Sequence, residues 1–122
     1  MTQQRRRLGQ RGEQWAAERL AGLGYEIVER NYRCPAGEID LVARHTGRWV
    51  FVEVRTRRGD RFGSPEESVT PRKRAHLIAS AQHYLQDHDA LDSDWRIDAV
   101  AIVLSTSGRL ERIDVIENAV TG

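Results

Sequence analysis

The spacing of apolar positions changes several times along the chain, and each change predicts an element. Gly9, Ala16, Ala17, Leu20 and Leu23 recur at helical spacing, which predicts a helix over residues 9–23, stopped by Gly24. Tyr25, Ile27 and Val28 then mark a strand-like stretch that ends at Cys34-Pro35-Ala36-Gly37. Two strong strands follow, EIDLVA (38–43) and WVFVEVRTR (49–57), joined by the turn residues His45-Thr46-Gly47-Arg48. A loop holding Gly59, Gly63, Ser64 and Pro65 leads to a second helix, announced by Thr70 as N-cap and Pro71 at the first helical position. Leu77, Ala81, Tyr84 and Leu85 form its apolar face. RIDAVAIVL (96–104) and residues 110–116 complete the pattern as two strands around the turn 105–108. The order α-β-β-β-α-β-β predicts an α/β domain, a mixed sheet with its helices on one face or on both.

Composition narrows the class. A chain of 122 residues suits one domain, and 39% hydrophobic with 30% charged residues is ordinary for a soluble globular protein. No run approaches the roughly 20 apolar residues that span a bilayer. The basic start MTQQRRRLGQRGEQ has no apolar core behind it, unlike a secretory signal, so a cytoplasmic location is expected. A single cysteine, Cys34, excludes an internal disulfide and any Cys-based zinc site. Residues 1–8 read as a basic flexible arm, 9–118 as the domain and 119–122 as a tail.

Charge is unevenly spread. Residues 44–84 carry a net +5 and residues 85–122 a net −5, so one surface suits a polyanion such as nucleic acid. Arg57, Arg58, Arg61, Arg72, Lys73 and Arg74 are the candidate phosphate-contacting rim, and the Gly59–Ser68 loop is long enough to close over a strand of DNA. The alternative is a solvated basic loop. Lys73 is the only lysine, and arginine bias also follows from genome composition.

Three acids stand where acids are costly. On a helical wheel of roughly 100° per residue, Glu13 falls in the middle of the apolar stripe, while Glu18 faces solvent. A carboxylate there is paired, favoured by the helix dipole, or bound to a metal. In the hairpin, an even loop centred on Thr46-Gly47 sets Asp40 directly opposite Glu53 and Glu38 opposite Arg55. Directly opposed Cβ atoms lie about 4.5–5.5 Å apart. Two like charges in that position call for a divalent cation or a shared proton. Oxygen ligands without His or Cys favour Mg²⁺ or Mn²⁺. An odd loop would send the two acids to opposite faces.

The run GEIDLVA (37–43) followed by FVEVRTR (51–57) resembles the active-site hairpin of the PD-(D/E)xK nuclease superfamily, an acid on one strand and acid-x-Lys on the next. Gly9-x-x-x-Glu13 with Gly24-Tyr25 resembles the opening of the archaeal Holliday-junction resolvases. Over residues 9–118 the chain is most similar to the uncharacterised YraN-like bacterial family, related to those resolvases. The resemblance implies a restriction-endonuclease-like fold and metal-dependent endonuclease action on DNA, including branched DNA. It also implies Glu13, Asp40 and Glu53 as catalytic metal ligands, Mg²⁺ or Mn²⁺ as cofactor, and a homodimer. Ile39 replaces the superfamily's proline. Arg55 stands in the lysine position, and because arginine stays protonated it suits stabilising charge on the phosphate rather than deprotonating water.

Two other readings stay open. One is a nucleic-acid-binding module of the same fold without turnover, which Arg55 favours. The other is a protein-interaction subunit using the acidic segment 85–122. His76, His83 and His88 lack a matched ligand set and read as surface residues. Asp98 is expected to pair locally with Arg96. Trp15 lies off the core stripe, at a dimer contact or under the basic arm.

Overall fold

The computed structural model describes residues 3–59 and 70–120, with residues 3–10 described by backbone alone. The first helix, α1 (Gln3–Gly22), begins before Gly9 and takes in backbone that the apolar pattern assigns to a flexible arm. Gln, Arg and Leu are good helix formers and nothing there breaks the turn. The helix closes as expected: Gly24 adopts φ 92° and the Tyr25 N–H returns to the Leu20 carbonyl. Leu23 falls beyond the last turn and is exposed. Trp15 is half-buried against the core, with the Arg11 guanidinium 5.0 Å above its ring.

The strands are β1 (Glu26–Cys34), β2 (Gly37–His45), β3 (Arg48–Arg58), β4 (Trp95–Leu104) and β5 (Leu110–Val120). The second helix, α2 (Pro71–Asp87), starts at Thr70, whose Oγ1 accepts the Lys73 backbone N–H at 3.2 Å. Element order is therefore α-β-β-β-α-β-β, and β5 runs into the segment read as a tail. The sheet has the spatial order β1-β2-β3-β4-β5, antiparallel throughout except for the parallel pair β3–β4. A parallel neighbour needs a crossover, and α2 lies within it.

One helix covers each face. Ala16, Ala17 and Leu20 of α1 pack on Leu41, Ala43, Val50, Val52, Val100 and Ile102. Leu77, Ala81, Tyr84 and Leu85 of α2 pack on Ile39, Val42, Phe51 and Ile97. The alternation along β3 is what strand geometry requires, with Val50 and Val52 toward α1 and Phe51 toward α2. At Gly12 α1 lies close against the sheet, since a Cβ there would collide with Thr56 Oγ1.

Thr46 (φ 50°) and Gly47 (φ 79°) make a two-residue turn with both residues left-handed, flanked by the pair His45↔Arg48. Such turns match strand twist, and they give the even register: Leu41 pairs with Val52 and Val42 with Phe51.

β1 and β2 are irregular at two points: the register shifts between Ile27 and Glu29, and one pair is missing further along. Arg30 pairs with Leu41 and Tyr32 with Ile39, so Asn31 and Asp40 face each other outside the ladder. Asn31 is left-handed there, at φ 54°. On one side of this point Leu41 packs toward α1, and on the other Ile39 and Tyr32 pack toward α2.

Asp98 pairs with Arg96 as expected and does much more. It is fully buried, accepts Arg96 Nε at 2.9 Å, Tyr25 Oη at 2.8 Å and the Asn118 backbone N–H at 2.8 Å. Arg96 Nη2 reaches Tyr25 Oη and His45 Nδ1, and the Tyr25 and His45 rings stack 3.9 Å apart. Burial, then the bond to Asp98, pushes the Tyr25 hydroxyl up to about 12. Every strong group in this cluster has a partner, so it is a structural brace.

Candidate functional site

Asp40 and Glu53 come together as the even register requires. At Asp40 the β2–β3 ladder stops, and Oδ2 of that side chain accepts the Val54 backbone N–H at 2.7 Å. Glu53 and Arg55 follow Phe51 on the α2 side of β3 by strand alternation. Both are largely buried, with side chains 16% and 21% exposed.

Two anions in so little water cannot both ionise at low cost. Burial and then the charge of Glu53 push the Asp40 carboxyl up to about 8, while the Val54 N–H works in the opposite direction. Glu53 is also raised, chiefly by burial, although Arg55 and a hydrogen bond with Asp40 hold it lower. Without a cation, the pair therefore holds on to a proton more tightly than two free carboxylates would.

Glu13 belongs to the same field. Burial raises its carboxyl, Glu38 and Glu53 add to the rise, and Asn31 and Arg30 oppose it. With its nitrogen turned toward the carboxylate, the Asn31 amide donates to Glu13 Oε1 at 3.1 Å and Oε2 at 3.3 Å. Glu38 is a fourth acid of this cluster, raising Glu13, Asp40 and Glu53 alike. Its expected partner was displaced: Glu38 bonds Arg33 at 3.3 Å across β1–β2, and Arg55 instead approaches Glu53. Ladder pairing ends before Glu38 could face Arg55.

Arg55 is incompletely satisfied. Its Nε lies 3.2 Å from Glu53 Oε1, an ion-pair distance, yet neither Nε nor Nη2 completes a hydrogen bond among the described residues, and both atoms are shielded from solvent. A buried donor without an acceptor costs about 1–3 kcal/mol, so an oxyanion placed there would recover that loss.

Among the described residues, no three His, Cys, Asp or Glu side chains stand ready as a metal cage. The donor chemistry that does fit an ion is the Asp40–Glu53 pair, two buried oxygen ligands that repel when ionised. Mg²⁺ takes one or two carboxylates and keeps waters or substrate oxygens for its remaining positions. Glu13 acts on the pair through its charge, raising the Asp40 carboxyl.

The basic rim is only partly described. Arg57 continues the Glu53–Arg55 side of β3, Arg58 turns toward Gly108, and Arg72 and Arg74 are exposed on the first turn of α2 beside half-buried Lys73. Arg61, Gly9's surroundings and most of the Gly59–Ser68 loop lie outside the described residues. The histidines are more engaged than isolated surface groups. His83 Nδ1 lies 2.8 Å from Tyr32 Oη and 3.3 Å from Asp87 Oδ2, while His88 Nδ1 meets the Tyr84 carbonyl and stacks on that ring. His83 meets Tyr32 only because α2 packs on β1, which the spacing within α2 does not show.

No helix among the described residues is long and apolar enough to cross a membrane. Residues 12–102 match the uncharacterised protein family UPF0102. A UPF0102 protein from Roseiflexus castenholzii is 51% identical over 98% of both chains, and one from Moorella thermoacetica is 49% identical over 98% of this chain and 99% of its own. A third, from Caldicellulosiruptor saccharolyticus, is 40% identical over 94% of this chain and 98% of its own. Matches of this extent, spanning α1, the acidic hairpin and the last two strands, establish that the chain belongs to UPF0102.

Proposed function

We propose that this chain is a metal-dependent endonuclease of the PD-(D/E)xK kind, a cytoplasmic homodimer acting on DNA and on branched DNA in particular. One observation carries the reading: a buried pair of carboxylates on adjacent strands with an incompletely satisfied guanidinium beside them. Cation and phosphate together would satisfy all three groups.

Asp40 and Glu53 would hold a Mg²⁺ or Mn²⁺ ion, and the pair would release its bound proton on taking it up. A bound ion supplies polarisation of the phosphoryl oxygen and a more acidic water. Arg55 donates Nε and Nη2 to a phosphate oxygen and stabilises charge as it develops. Glu13, held by Asn31, orients the attacking water by accepting its hydrogen bond. Arg57, Arg72, Lys73 and Arg74 contact flanking phosphates.

Incubation with branched and linear DNA in Mn²⁺ tests this directly. Cleavage is expected, and Asp40→Ala or Glu53→Ala should abolish it; products that persist in both variants overturn the assignment. Arg55 in the lysine position favours a second reading, a DNA-binding module without turnover. That reading expects salt-dependent binding with no products under any divalent ion, and activity appearing in Arg55→Lys.

A further inference from the structure

Asn31 is a strand residue in a conformation strands do not use. Its φ of 54° interrupts β1, and it sits across from Asp40 where a ladder pair is missing between Arg30↔Leu41 and Tyr32↔Ile39. Asparagine tolerates left-handed backbone better than most residues with a side chain, but glycine would tolerate it better still. What asparagine adds is an amide, and that amide spans both oxygens of Glu13 on α1.

We propose that Asn31 is a positioning residue: the left-handed kink in β1 aims its amide at the Glu13 carboxylate and fixes that acid toward the Asp40–Glu53 pair. Glu13 otherwise stands on a helix, half-buried and facing the like charges of Glu38 and Glu53, which would drive its side chain outward. The Asn31 amide, whose one nitrogen is shared between the two oxygens, opposes that movement. Aspartate at this position could keep the kink but would add another repelling charge; glycine would keep the kink and lose the donor. The function given to Glu13 rests on the endonuclease reading, whereas the Asn31–Glu13 link does not.

Two measurements separate these. In the ¹⁵N spectrum of the metal-free chain, Glu13→Ala should shift the Asn31 side-chain amide pair and speed its exchange with water. A pair unmoved by that substitution overturns the link. In Mn²⁺-dependent cleavage, Asn31→Gly should lower kcat about 10- to 100-fold with KM for DNA within about twofold. Glu13→Ala/Asn31→Gly should then be no slower than Glu13→Ala alone, because residues acting through one another are not additive. Asn31→Asp, which preserves backbone and size, should fall as far as Asn31→Gly and serves if the glycine variant does not fold. Full activity in either folded variant overturns the positioning role. If the unmodified chain cleaves no DNA, the endonuclease reading fails and the amide spectrum still decides the link.

Discussion

Asp40 Oδ2 accepts the Val54 backbone N–H at 2.7 Å, so this carboxyl does the work of a missing ladder carbonyl between β2 and β3. The contact anchors one member of the acid pair to its neighbour's strand. It also ties the charge state of the pair to the stability of the sheet.

The pH dependence has a definite sign. Asp40 rises from 3.8 to about 8 on folding, and Glu13 and Glu53 rise as well. The folded chain then holds more protons than the unfolded one, so this stabilisation is present at low pH and is lost as pH rises through about 8. Thermal unfolding in EDTA should show Tm falling from pH 5 to 8. Asp40→Asn should flatten the slope and unfold at a higher temperature than the parent at pH 8. A parent Tm that climbs over that range would refute this account.

The brace around Asp98 predicts a large loss. Asp98→Ala strands the Arg96 guanidinium, the Tyr25 hydroxyl and the Asn118 N–H in a buried setting. Removing one partner of a buried ion pair costs about 3–5 kcal/mol, a large part of the roughly 5–15 kcal/mol available to a domain. Urea unfolding should place Asp98→Ala far below the parent. A change under 1 kcal/mol would show that the network is slack.

Gly12 and Thr56 should be coupled. Gly12→Ala gains helix propensity, yet its Cβ meets Thr56 Oγ1, and the β-branched threonine has little freedom to turn aside. A net loss of about 1–3 kcal/mol is expected from such overpacking. Thr56→Ala should remove most of that penalty, so the double variant is more stable than the two single effects added together. Strict additivity in denaturant midpoints would place the crossing elsewhere.

The hairpin turn holds a correctable strain. Thr46 is a β-branched residue at φ 50°, in a turn type that prefers Asn-Gly. Thr46→Asn should raise stability by about 0.5–2 kcal/mol, with an unchanged denaturant m-value. A destabilised Thr46→Asn would mean that the Thr46 hydroxyl, which donates to the His45 carbonyl at 2.7 Å, outweighs the backbone strain.

What the sequence disclosed was local. The Thr46-Gly47 turn sets the β2–β3 register from two residues, and that register alone carries Asp40 to Glu53. Thr70-Pro71 marks the start of α2 for the same reason, a cap whose partners lie within three residues. Glu13 stood out because an acid on an apolar stripe needs an explanation. The partners of these acids were not legible. Asn31 looks like any polar strand residue until its φ is known, and Glu38 was free to choose Arg33 over Arg55 only after β1 had paired with β2. Trp15 likewise counted as an outward residue because a wheel cannot show how far a large ring reaches back to the sheet. Nothing in the spacing of residues 96–98 and 117–118 reveals that Asp98 will close a gap in β5.

Both outermost strands of the sheet carry a left-handed asparagine, Asn31 in β1 and Asn118 in β5, and both depart from regular pairing there. An outer strand that ran straight would present an unbroken row of hydrogen-bonding groups to any other extended chain. A left-handed residue in each rim interrupts that row. Straightening either one by a valine should therefore make the chain prone to stack side by side into insoluble fibrils, whatever it does to the chemistry at Asp40.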